Sequence, residues 1–244
     1  MLPALNIWRD HFEYHAQRSR SIPAGVPDLL GEQERELIAA SIATFQLGEQ
    51  SSGQHLLRAA YRFAHRHDAA AIARTTELLI REEQQHAALL GDFMRDHGIA
   101  CKRRDWTDWL FRRIRRAAQF ELHLAVLLTA ELIGIVYYRA LEAATGCQRL
   151  RLLCRILVAD ELAHIGFESD MLLILRSSRA APARLIVEGA HRTLLAGAAL
   201  VVWHTHRPVL RQAGYRQSSF MRACRAQYAF YMQPAQVAAS ASTV

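Results

Sequence analysis

Glu83-Gln84-Gln85-His86 and Glu161-Leu162-Ala163-His164 are the two stretches on which the reading of this chain turns. On a helix, Glu and His three positions apart share a face and can grip one ion. Each pair follows a lone glutamate, Glu49 or Glu131, by about one helix and a turn. Each is also preceded by a further acid, Glu82 or Asp160. Glu49, Glu83, His86, Glu131, Glu161 and His164 together supply four carboxylates and two imidazoles, a donor set suited to a carboxylate-bridged pair of metal ions.

The spacing alone carries little weight, because a third Glu-x-x-His, Glu188 to His191, occurs in the chain. Context separates them. The first two pairs lie in long apolar helical patterns and each has a partner glutamate, whereas the Glu188 pair has no equivalent partner helix. Glu131 is the sharpest case, since Leu124 to Tyr138 is nearly all apolar around it. A lone ionised carboxylate there is costly unless it is paired or bound to metal.

A carboxylate-rich set with two imidazoles favours iron, with manganese as the alternative, over zinc, which more often takes thiolates or extra histidines. The expected division is Glu49, Glu83 and His86 mainly on one ion, and Glu131, Glu161 and His164 mainly on the other. One glutamate from each Glu-x-x-His helix would bridge them. Asp160 and Glu82 are placed to reach across and accept the free ring N–H of the histidine on the partner helix, fixing its tautomer. Tyr138, two turns after Glu131, is a candidate redox or hydrogen-bonding neighbour. Gly53 is expected to leave room for O2 or substrate on the metal-facing side of the first long helix.

Helical periodicity organises the rest. Residues 1–32 read as an N-terminal extension of short helical pieces and loop. Residues 33–178 read as an antiparallel four-helix bundle, its first helix running from about Glu32 to His65. Asp68 is a candidate N-cap for the second helix, Asp105 for the third, and Pro182 allows a fresh start after the fourth. Residues 179–232 read as C-terminal helices, bent or broken at Pro208, packed on the bundle and able to wall a lipophilic pocket. Residues 233–244 read as a flexible tail. No segment reads as a strand, so the expected class is all-α. The apolar runs around Glu131 and over 193–203 read as too short for a transmembrane segment.

Hydrophobic residues make up 51% of the 244, with only 12 Gly and 6 Pro, which suits a helical globule with a substantial core. The four cysteines are scattered with no Cys-x-x-Cys, against a disulfide framework or a cysteine-bound iron relay. Their scatter and the absence of a signal-like N-terminus predict a cytoplasmic protein. The net charge of +7 is carried almost wholly by arginine, Lys102 being the sole lysine. The Lys102–Arg116 segment is a candidate dock for an acidic carrier protein or a reductase.

Glu49, Glu83-x-x-His86, Glu131 and Asp160-Glu161-x-x-His164 resemble the ligand motif of the ferritin-like superfamily over residues 33 to 175. The resemblance implies a four-helix bundle whose di-iron centre reacts with O2. The implied activity is an oxidase or monooxygenase acting on a small organic or acyl substrate, as a monomer or homodimer. Similar motifs serve ferroxidase and iron-storage proteins, peroxide scavengers and tRNA-modifying hydroxylases, and a metal-free scaffold is a further alternative.

Overall fold

The computed structural model describes residues 3–18, 21–23, 25–50, 52–102 and 119–233. It is all-helical, with no strand among the described residues. The helices are α1 (Pro3–Ala16), α2 (Glu32–Glu49), α3 (Gln54–His67), α4 (Ala70–Asp96), α5 (Phe120–Ala144), α6 (Gln148–Ser177), α7 (Ala181–Gln212) and α8 (Gln217–Tyr231). The Arg103–Arg116 part of the expected basic dock, the Asp105 cap and residues 234–244 of the expected tail lie outside the described residues.

The helix expected from Glu32 to His65 is two helices. α2 is capped at Gln50, and Gly53 takes a left-handed φ of 61° ahead of α3. Asp68, expected to start a helix, ends one instead: it is left-handed at φ 49° and its N–H closes on the Ala64 carbonyl. Three basic residues, His65, Arg66 and His67, precede it in the last turn of α3, where positive charge complements the helix dipole. Glu32 and Glu34 do the reverse in the first turn of α2. Pro208 does not break α7, which runs through it to Gln212. Pro208 and His204, whose carbonyl loses its partner, are both exposed, so water can take the missing bond.

The core is continuous from α1 to α8. α5 and α6 pack closely together, α4 packs on α1, α2, α3 and α6, and α7 and α8 lie over α5. The N-terminal helix is part of this core. Phe12 is fully buried, and Trp8 seats its ring on Gly166, where an added Cβ would come within 2.4 Å of it. Trp8 Nε1 donates to Asp170 Oδ2 at 2.9 Å, which satisfies both polar groups inside the core.

Two helices, α5 and α7, are long and apolar enough to cross a membrane, contrary to the expectation from their shorter apolar runs. Each helix extends well beyond its most apolar stretch. In α5, 78% of the apolar window is buried by neighbouring helices, whereas in α7 only 17% is.

Trp8→Ala removes a buried ring and orphans Asp170, so it should destabilise the protein by about 3–5 kcal/mol. Leu185, on the exposed face of α7, should tolerate Leu185→Ser within about 0.5 kcal/mol. Paired denaturant titrations check both.

Candidate metal centre

Four helices deliver the acidic and imidazole side chains to one place. α2 brings Glu49, α4 brings Glu83 and His86, α5 brings Glu131, and α6 brings Glu161 and His164. Ligand atoms of Glu49, Glu83, His86 and Glu161 all lie within 4.8 Å of one another, as do those of Glu83, Glu131, Glu161 and His164. Glu83 and Glu161 belong to both groups.

The histidines are oriented from behind. His86 Nε2 lies 3.1 Å from Asp160 Oδ2, and His164 Nε2 lies 2.9 Å from Glu82 Oε2. With the Nε2–H donating to a carboxylate, each ring turns its Nδ1 lone pair inward. His86 Nδ1 is 3.1 Å from Glu161 Oε1, and His164 Nδ1 is 2.8 Å from Glu83 Oε1. The arrangement is reciprocal: the α4 histidine is held by an α6 acid, and the α6 histidine by an α4 acid.

Whether these residues fit a metal is decided by what they leave unmade. Glu83 Oε1, His86 Nδ1 and Glu161 Oε1 are buried and make no well-aligned hydrogen bond, although charge contacts of 2.8 and 3.1 Å join them to His164 and to each other. Buried polar atoms without partners are costly, and converging donors of this kind are what an ion between them satisfies. The clusters can therefore hold a metal ion.

Electrostatics without an ion points the same way. Burial, reinforced by Glu83 and Glu161, pushes the Glu49 carboxyl well above its usual range. Burial, with Glu161 and Glu83, does the same to Glu131. Burial opposes ionisation of Glu161 too. It is nonetheless held well below the usual range by a hydrogen bond from Glu131, by the charge of His164 and by the two imidazoles. Burial alone would lower His164, but Glu161, Glu82 and Glu83 around it raise it well above the ordinary imidazole value.

Tyr138 donates to Glu49 Oε1 at 2.6 Å and is fully buried, so it abuts the cluster. Gly53 does not leave room beside the metal residues. It lies in the α2–α3 turn, where an added Cβ would meet Ile80 at 2.5 Å. The third pair points elsewhere. Glu188 lies 3.8 Å from Arg184, while His191 contacts Arg176 and Thr129 and is pushed down to about 3 by burial and Arg176.

Two components were not foreseen. Phe12 stacks on the His164 ring at 5.6 Å and so covers the rear of the cluster. No local pattern in residues 1–32 points to the metal residues, so only the tertiary fold shows it. Glu168 is completely buried and neither carboxylate oxygen has a hydrogen-bond partner. Burial, opposed by His164 and reinforced by Glu83 and Glu161, raises its carboxyl well above the usual range. Its spacing, two turns after Glu161 on the same face of an apolar helix, was the available signal.

A third group, Asp28, His97 and Cys147, ties the loop before α2 to the ends of α4 and α6. Arg149 Nη1 donates to Asp28 Oδ2 at 2.6 Å and neutralises it, which makes this a structural tie. No protein-family model, curated protein or solved structure matches the chain.

Removing metal should expose the cost of these burials as a pH dependence. Raised carboxyls at Glu49, Glu131 and Glu168 lose stability as pH rises above 4.5. The raised His164 loses it above 6.5, and the lowered Glu161 matters only as pH falls below 4.5. The melting temperature of chelated protein should therefore fall from pH 5 to pH 8, while the gain from added Fe(II) or Mn(II) grows. Calorimetric scans across that range with and without metal check it. In the same protein, Asp160→Asn should weaken metal binding by about 10–100-fold.

Proposed function

We propose that the chain is a ferritin-like di-iron protein that uses O2 to oxidise a small organic or acyl substrate. The observation that carries the reading is the sharing of Glu83 and Glu161 between two four-residue groups, each completed by an inward-facing imidazole. Carboxylate-rich sets of this kind favour iron, with manganese next. Two iron ions held by these residues would supply the two electrons that reduction of O2 to the peroxide level needs.

The chain's own residues do the rest. Glu83 and Glu161 hold the two sites at a fixed separation. Asp160 and Glu82 fix the imidazole tautomers through Nε2. Phe12, stacked on His164, excludes water from the rear. Tyr138 keeps its proton at the Glu49 carboxylate, because burial and that neighbouring acid raise its hydroxyl well above the ordinary value. With no cysteine relay in the sequence, electrons come from a separate reductase. Lys102, which contacts Thr44 Oγ1 on α2, begins the basic segment suited to such a partner or to an acidic carrier.

Anaerobic reconstitution with Fe(II), metal counting and O2 uptake test this. The expected result is about two irons per chain, with most of the loading lost in Glu131→Ala or Glu161→Ala and retained in Glu188→Ala. Uptake should stop after about one O2 per reduced two-iron centre unless reductant is added, in a monomer or homodimer. A particle of many chains that oxidises iron far beyond its own sites would mean storage instead. Absence of metal binding would leave a metal-free scaffold.

A further inference from the structure

Among the described residues, the candidate metal cluster opens on one side into a cavity. His86, Glu161 and His164 are 0–1% exposed, whereas Glu49 and Glu83 are only partly buried and Glu131 retains 6%. Those three acids line a half-open cavity of about 160 Å³ between α2, α5 and α7. Ala130, beside Glu131 near the middle of the otherwise buried α5, is exposed because it too faces this space.

Apart from the three acids, the cavity is walled mainly by carbon. Phe45 comes from α2, Val126, Leu127 and Ile133 from α5, and Ala198, Val201 and Val202 from α7. The few other polar groups are Thr44, Thr205 and His206. His206 is already engaged, its Nδ1 lying 2.8 Å from Ser41 Oγ. Gly48 and Gly134 keep the wall open, and a Cβ at Gly134 would meet nothing closer than Tyr138 at 3.9 Å. Among the described residues the lining includes no Lys, Arg or side-chain amide, and the Lys102 ammonium is tied to Thr44 Oγ1 at its edge.

We infer that this cavity is the substrate site, and that it takes a neutral, apolar group about the size of a benzene ring against the Glu49–Glu83–Glu131 face. The inference rests on the di-iron reading for its chemistry but on the cavity alone for its ligand class. A closed apolar cavity of about 150 Å³ binds benzene, which gives the scale of the group that the enclosed part of this half-open cavity fits. α7 supplies one wall and therefore sets specificity from outside the four helices that hold the metal residues.

Calorimetric titration of the full chain with toluene, once loaded with Mn(II) and once with chelator, tests the assignment. Saturable binding of about one toluene per chain is expected, while glycerol, of similar size but polar, should not bind. Gly134→Leu on α5 and Ala198→Phe on α7 each fill the cavity and should weaken toluene binding about tenfold or more. Their metal content should stay at the wild-type level, which also shows that the variants are folded. The proposal is overturned if wild-type protein shows no saturable toluene binding, or if both filled variants bind it as well as wild type does. Toluene binding without metal binding would sink the di-iron reading and leave the apolar site standing, and the converse result would do the opposite.

Discussion

Everything in this molecule is arranged around the cost of placing ionisable groups inside an apolar helical core. Glu131, Glu161, Glu168, His86 and His164 are each nearly or fully buried, with Glu82 and Asp160 beside them. Two crossed pairs between α4 and α6, His86 with Asp160 and His164 with Glu82, relieve part of that cost and fix both rings. They do not relieve all of it. Each pair uses only the outward nitrogen of its histidine, so the inward nitrogens and the carboxylates facing them still converge at the centre of the bundle.

The apolar shell makes that convergence stable. α5 is buried on nearly every side because α6, α7, α3 and α8 all pack on it, which lets a single carboxylate at Glu131 be carried to the centre. Phe45 stacks on Tyr137 at 3.5 Å, and Ser41 links Tyr137 to His206. This binds α2, α5 and α7 together next to the open side of the cluster. Rigid walls of this kind matter more than an additional ligand, because close-packed interiors pass small displacements directly to neighbouring groups.

The convergence of Glu49, Glu83, His86, Glu131, Glu161 and His164, and the two acids set against the histidines, were legible in the sequence. Their signal is local: helical spacing within a pair, and charge set against an apolar background. What the sequence concealed is non-local. Trp8 and Gly166 are far apart in the chain, and neither residue type signals the contact. The division of α2 from α3 was hidden because the Gln50–Gly53 stretch interrupts an otherwise helical pattern with small and polar residues that helices also tolerate. Asp68 was misread because aspartate suits an N-cap and a left-handed C-terminal position about equally. Glu168 was passed over because it lacks a histidine three residues on.

The seating of Trp8 and Phe12 against α6 also bears on the order in which the molecule is built. α1 leaves the ribosome before α6, so its binding surface at His164, Gly166 and Phe167 is made much later. Contacts spanning most of the chain form slowly, because loop closure must come before any gain from packing. The rear wall of the cluster is thus among the last surfaces to close, and the acids stay hydrated and open to metal from that side until it does. A folding chain thus exposes its buried acids on a side that the finished fold closes.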